Sequence, residues 1–523
     1  LRGHSRSNVT LAAADGTPLV LDLSVPEESD ARIPTVVTRT PYGRSAHRDE
    51  GLGWARRGYA YVIADVRGRY DSGGDWDPYR NERADGAALV DWIVAQPWSD
   101  GRVIAYGGSY AGYTAWAMAA ERPARVAAVV SLGPPMSLAR TKFSSAGVLR
   151  LSEHAAWWSE RADARTSRDG YAASFFAAHP RALEQLPVVE IDLGADLPGW
   201  TKVIENGPSH SDEQAITDRD LARVDVPTLH VGGWHDLLVT ETLHQWRARA
   251  EAAPETPAHL MIGPWPHDLA FTTDQVLGDI DYGETSTRPW GRELVEWIDA
   301  ALDGHLDARR TTVFVRGANR WETAATWPPA TVSVEYWASD DGLLTAPTAG
   351  IERSLVHDPD LPFPSLPEGR DRSVLNSRED AIRFDTAPLA APLRISGAAC
   401  VEFDAESTPS GADWIVRLLE VRPNGQVIDT ALGESWTDAP SASEGDAPAP
   451  RRLRIELSEG DIEFGAGSLI RVEITGADFP RIARNLGTRE SRYHSADVQR
   501  VTQRLLSSDR PILTLPVVPE VRR

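Results

Sequence analysis

At 523 residues, with 41% hydrophobic residues and a formal charge of −22 at pH 7, the chain can bury cores for two or three domains. It is too acidic to favour nucleic acid or an anionic membrane surface as a partner. No apolar stretch is long enough to span a bilayer and no secretory leader is visible, so a cytoplasmic location is the default expectation, although the first residue is Leu1 rather than Met. Cys400 is the only cysteine, which leaves no intrachain disulfide and predicts a buried thiol. Lys142 and Lys202 are the only lysines, so nearly all cationic charge is arginine.

Residues 9–24 alternate around Asp15-Gly16 and predict an antiparallel hairpin. Apolar runs at 35–38, 59–66, 103–106 and 126–132 read as strands, and 81–96 carries helical spacing up to Pro97. This alternation predicts an α/β domain over 1–135, a mostly parallel sheet with helices on both faces. From 136 to 221 helical stretches at 146–162 and 169–185 replace it, an insertion that reads as a cap. The sheet resumes over 222–304, with strands at 226–231 and 259–262 and an amphipathic helix at 289–302. Beyond Gly304, runs at 312–316, 332–337, 393–401, 414–421, 452–457 and 468–474 are separated by turn residues. They predict a β-sandwich over 305–523. The stretch 441–450 has few bulky apolar residues and reads as a mobile loop.

Ser109 follows the strand at 103–106 in the string YGGSYAGYTAW, ahead of a helix expected over 113–120. A strand, a tight glycine turn and a helix are how an α/β-hydrolase raises a serine hydroxyl out of its sheet. Ala111 stands where the G-x-S-x-G pattern has its second glycine, and it is small enough for the helix to pack against the strand. An acid and then a base should follow, each on a loop beyond a strand. Asp236 follows the strand at 226–231 and its Gly232-Gly233 break, and His267 follows the strand at 259–262. Singly, Asp236 reads as a helix N-cap and His267 as a surface loop residue. Three placements in the required order favour a Ser109–His267–Asp236 triad without a cofactor. The Tyr110 backbone N–H, next to the nucleophile, supplies one oxyanion donor. The second is expected from the loop Arg39 to Arg44.

The strings RTPYG (39–43), DVRGRYDSGG (65–74), GGSYAG (107–112), VGGWHD (231–236) and GPWPH (263–267) resemble the family of cocaine esterase, X-prolyl dipeptidyl peptidase and α-amino-acid ester hydrolase. The resemblance continues through GANRWE (317–322), GADWIVRLLEV (411–421) and ADFPRIARNLGT (477–488), and so covers nearly the whole chain. It implies a jelly-roll for the C-terminal sandwich. It also implies that the Tyr42 hydroxyl donates to the oxyanion, and it assigns the triad to the same Ser109, Asp236 and His267.

The amino-ester hydrolases of that family hold a substrate ammonium with carboxylates near the catalytic aspartate, whereas Leu237-Leu238-Val239 follows Asp236 here. The peptidases carry an additional N-terminal domain, for which the residues before Val9 leave no room. Both departures predict an esterase acting on a small, mainly apolar acyl group, with amidase or X-Pro peptidase chemistry and acyl transfer as alternatives. Trp157, Trp158, Trp234, Leu237 and Leu238, with the Tyr110 ring, are candidate pocket walls. Asp71, Asp75 and Asp77 lack the spacing of a calcium loop, and no histidine pair has zinc spacing, so no metal is expected. The expected partners are a small ester or amide and water, and a homodimer stays open.

Overall fold

The computed structural model describes residues 3–27, 31–161, 165–197, 199–208, 214–268, 274–437 and 450–519. The hairpin around Asp15-Gly16 forms as expected, from β1 (Gly3–Ala12) and β2 (Pro18–Pro26). It leads into β3 (Ile33–Thr40), β4 (Ala60–Asp65), β5 (Ser99–Gly108), β6 (Val126–Leu132), β7 (Thr228–His235) and β8 (Ala258–Pro266), which run parallel. After the short pair β9 (Val276–Leu277) and β10 (Ile280–Asp281), the chain adds β11 (Arg309–Val315) parallel to β8, and β12 (Arg320–Ala324) closes that edge. The sheet order is β1-β2-β4-β3-β5-β6-β7-β8-β11-β12.

Successive residues of the central strands feed opposite cores, which is why they read as unbroken apolar runs. Val37, Val103 and Ala105 face the core beneath α2 (Glu82–Val94) and α3 (Tyr110–Glu121), helices that follow α1 (Arg48–Arg56) in the chain. Val36, Ile104 and Val130 face the core that Trp54 of α1 shares with Trp290, Leu294 and Ile298. No helix among the described residues is long and apolar enough to cross a membrane.

The insertion leaves the sheet at the carboxyl end of β6, beside the strand that carries Ser109, and returns at β7. It contains α4 (Leu138–Lys142), α5 (Leu151–Arg161), α6 (Tyr171–Ala178), α7 (Trp200–Asn206) and α8 (Asp218–Arg223). Both helical stretches expected there are shorter than predicted. The first cannot begin at 146, because Phe143 bridges to Leu149 and Gly147 turns between them at φ 76°. The second starts after Gly170 at φ 79° and ends before Pro180, which has no N–H to continue it. Beyond the cap, α9 (Val239–Ala252) follows β7, and α10 (Trp290–Asp303) is the predicted amphipathic helix.

The strand expected at 312–316 belongs to the hydrolase sheet rather than the sandwich, since β11 pairs with β8. The expected run at 393–401 is two strands, Leu393–Gly397 and Cys400–Thr408, with Gly397 turning between them at φ 107°. The remaining runs build a sandwich that, among the described residues, has a nine-stranded and a four-stranded sheet around one core. Cys400 is buried, and burial pushes its thiol up to about 11. The loop expected at 441–450 lies, but for its last residue, outside the described residues.

Main-chain bonds tie cap to sandwich. The Ser152 N–H donates to Pro480 O (3.0 Å), the Ala483 N–H to Leu149 O (2.9 Å), and the Leu149 N–H to the Tyr493 hydroxyl (3.0 Å). Beneath this seam, Asp478 is fully enclosed between Arg417 and Arg481. Burial pushes its carboxyl up, but the two guanidinium charges outweigh that and hold it well below the usual range. Arg417 also meets Asp429 (3.1 Å), and Arg481 meets Glu434 (2.8 Å). Removing one partner of a buried pair strands the other charge, so Arg417→Met should cost about 3–5 kcal/mol in denaturant unfolding. Arg417→Met combined with Asp478→Asn should recover much of that loss.

Candidate active site

Ser109 sits between β5 and α3 at φ 53° and ψ −125°, a backbone region that residues with a side chain rarely occupy. The turn closes because Gly107 has no side chain: a Cβ there would lie 2.4 Å from Ala111 O and 2.7 Å from Ala111 Cβ. Alanine fits at 111 because glycine stands at 107. The Ser109 N–H donates to Leu132 O (2.8 Å), which anchors the elbow to β6.

The three residues singled out from strand placement come together. The Ser109 hydroxyl lies 2.9 Å from His267 Nε2, and His267 Nδ1 lies 2.8 Å from Asp236 Oδ1. A carboxylate at Nδ1 fixes the tautomer with the proton on Nδ1, leaving the Nε2 lone pair for the serine proton. Asp236 is 3% exposed, and its Oδ1 also accepts from the Leu238 N–H (2.8 Å). Partial burial pulls the His267 value down, but the Asp236 charge and hydrogen bond, with the charges of Glu153 and Asp268, outweigh it and raise it above 6.5. His235, next to Asp236, is held neutral: burial first, then Arg316, lowers it to about 3, and its Nε2 meets the Tyr282 hydroxyl at 2.6 Å.

Residues 15–268 match the family model of X-Pro dipeptidyl-peptidase (S15 family), and residues 306–511 match that of the X-Pro dipeptidyl-peptidase C-terminal non-catalytic domain. The chain belongs to the S15 family. It is a serine hydrolase. Cocaine esterase of Rhodococcus sp. is 25% identical over 92% of both chains, and a putative serine esterase of Mycobacterium bovis is 25% identical over 95% of both. An aminopeptidase structure from the marine sediment archaeon Thaumarchaeota archaeon has a TM-score of 0.81 at 23% identity, covering 99% of this chain and 97% of that one. A CocE/NonD family hydrolase of Staphylococcus aureus has a TM-score of 0.69 at 14% identity, over 98% and 94%. These two structural likenesses concern the fold.

In this S15 chain the elbow rests on a buried polar chain that sequence reading did not find. The Tyr110 hydroxyl donates to Glu82 Oε1 (2.7 Å) and accepts from the Tyr79 N–H (2.8 Å), while Glu82 Oε2 meets Arg39 at 2.8 Å. The Tyr110 ring is therefore core rather than pocket wall. Its N–H opens α3, so no carbonyl within the helix takes it. Tyr42 is half-buried at the carboxyl end of β3. Its carbonyl accepts from the Tyr70 hydroxyl (2.8 Å), and the Arg161 guanidinium lies 4.8 Å from its ring centre.

The candidate pocket residues divide. Trp157 is half-buried beside Trp76, with ring centres 5.5 Å apart, and Leu237 is exposed. Trp158 fills the cap core, where a Cβ at Gly199 would lie 1.9 Å from its ring. Trp234 packs on Trp327 and donates to Phe314 O (2.8 Å), at the border of the sandwich. Leu238 is 1% exposed and serves the site through its N–H. Of the residues expected at the pocket wall, Trp158 and Trp234 each fill an apolar core, and Leu238 is buried beside the acid. In the acid-rich loop, Asp71 pairs with Arg44 (2.7 Å) and Asp77 with Lys202 (2.9 Å). A cavity of about 360 Å³ beside His259 and Trp297 lies at the far end of β8 from His267.

Gly133 carries a role that its place after β6, in a glycine-proline turn at the loop-bearing edge, could have signalled. A Cβ there would lie 2.5 Å from Asp236 Oδ2, and φ is 50°. In Gly133→Ala, Asp236 must move and the His267 value should fall; NMR titration of ring-labelled histidine reads this directly. The unsubstituted protein should titrate above 6.5 at His267, and Asp236→Asn should bring it below.

Proposed function

We propose that the protein is a carboxylesterase that cleaves esters of small, uncharged, mainly apolar acyl groups through a Ser109 acyl-enzyme. The observation that carries this reading is the continuous hydrogen-bonded line from Ser109 through His267 to buried Asp236. As Ser109 Oγ attacks the ester carbonyl, its proton passes to His267 Nε2, and the imidazolium is balanced by Asp236. The tetrahedral oxyanion is met by the Tyr110 N–H and the Tyr42 hydroxyl. Collapse returns the proton from His267 to the departing alkoxide and leaves the acyl group on Ser109. Water then attacks with His267 as base, releasing the acid and restoring the serine hydroxyl.

An ester is favoured over an amide because its leaving group needs less protonation, and because the cocaine esterase relative matches nearly end to end. Ser109→Ala should lower kcat on an activated aryl ester by about 10⁴-fold or more. Tyr42→Phe should cost about 10²- to 10³-fold, mainly in kcat, since the oxyanion exists only along the reaction path. A fluorophosphonate should label Ser109, as peptide mapping would show. Paired ester and amide substrates of one acyl group test the bond preference, and faster amide cleavage would move the assignment to a peptidase.

A further inference from the structure

Lys142 and Glu153 form an ion pair in the cap, next to the His267 site but outside the hydrogen-bonded triad. Lys142 ends α4 with 1% of its side chain exposed, its Nζ 2.8 Å from Glu153 Oε1 and 4.3 Å from the centre of the Trp157 ring. Glu153 lies in the first turn of α5, four residues before Trp157, so the two share one helical face. Arg150 ties this end of the cap to the acid loop, its N–H donating to Lys142 O (2.8 Å) and its guanidinium to Leu237 O (3.4 Å). The Glu153 charge reaches both His267 and the Tyr79 phenol, whose ring packs 4.6 Å from that of Tyr110. The Trp157 ring beneath the Lys142 ammonium packs 5.5 Å from that of Trp76, which lies 6.4 Å from the Tyr110 ring, so the pair adjoins the aromatic cluster next to Ser109.

Only one oxygen of Glu153 is used. Oε1 takes the Lys142 ammonium, whereas Oε2 is shielded from solvent and has no hydrogen-bond partner among the described residues. A carboxylate oxygen withdrawn from water and left unpaired is costly, so a ligand that donates to it gains that energy back. The charge of the pair decides which ligand fits. Lys142 already neutralises Glu153, so a cationic ligand meets no net negative charge and lies close to an ammonium. An uncharged N–H or O–H meets no such repulsion.

We propose that Glu153 Oε2 accepts a hydrogen bond from an uncharged N–H or O–H group of the ester substrate, and that Lys142 is the positioning residue that makes this site select neutral donors over cations. The proposal rests on the esterase reading and narrows its substrate class.

The test compares para-nitrophenyl esters of N-acetylglycine, of levulinic acid, in which CH₂ replaces that N–H, and of betaine, which carries a fixed cation and no donor. N-acetylethanolamine butyrate and its CH₂-for-N–H ketone isostere make the same comparison on the alcohol side. The N–H ester should exceed its isostere in kcat/KM by about tenfold or more in at least one pair, with the betaine ester no better than the levulinate. The double variant Lys142→Met with Glu153→Met, which strands no charge, should bring the donor-to-isostere ratio to about one. Lys142→Met alone bares the Glu153 charge and should raise the betaine-to-levulinate ratio by about tenfold. Equal rates within both pairs, or a donor preference that survives the double variant, would overturn the proposal. If Ser109 takes the fluorophosphonate label and every ester turns over at one rate, this inference alone fails; no label and no turnover sink the esterase reading itself.

Discussion

The backbone of Ser109, held at a positive φ, is the constraint from which the rest of the site follows. Such a conformation costs about 1–3 kcal/mol and persists only where its surroundings leave no alternative. Here β5 and α3 meet so closely that Gly107 admits no Cβ, Leu132 O holds the serine N–H, and Tyr110 is pinned through Glu82 to Arg39. The strain thereby aims the hydroxyl along the carboxyl edge of the sheet. That edge is where β7 delivers Asp236 and β8 delivers His267, each at hydrogen-bond distance. A parallel sheet makes this convergence automatic, since all its strands end on the same side.

The cap and sandwich are consequences of the same edge. The cap leaves from the end of β6, the neighbour of the nucleophile strand, and its Arg161 rests on the Tyr42 ring at the end of β3. Helices as short as those of the cap are marginal alone. They are braced by main-chain bonds to residues 480–493 of the sandwich and by a shared apolar cluster that includes Ile415 and Ile482. Under that seam the buried Asp478 is paired with two arginines, which exchanges hydration for fixed geometry. An acidic chain with almost no lysine solves its burial of charge with guanidinium forks, which satisfy a carboxylate with directed hydrogen bonds.

Against that background the Lys142–Glu153 pair is an exception in kind. Its cation is a compact ammonium resting on the Trp157 ring, and its anion keeps one oxygen unmet among the described residues. Trp157 stays half-buried against Trp76, whereas Trp158 and Trp234 went into cores, because a large flat ring is as useful for filling the gap between two layers as for walling a cavity.

Read alone, the residues determine the class of fold and the chemistry of the site. Strand runs, turn residues and the order serine, aspartate, histidine are local or ordinal properties, and the elbow's small residues report a steric need that the chain itself states. Where local signals compete, reading was weaker: Gly147 and Pro180 cut two cap helices short, and β11 joined the hydrolase sheet because its pairing with β8 is a long-range choice that alternation cannot specify. Only the tertiary structure decided which side chains face the serine. Burial of Trp158, Trp234 and Leu238, the clearance at Gly133, and the meeting of Lys142 with Glu153 all depend on how separate elements pack. Periodicity says that a face is apolar; the partner that covers it is set by three-dimensional packing and lies beyond what the pattern encodes.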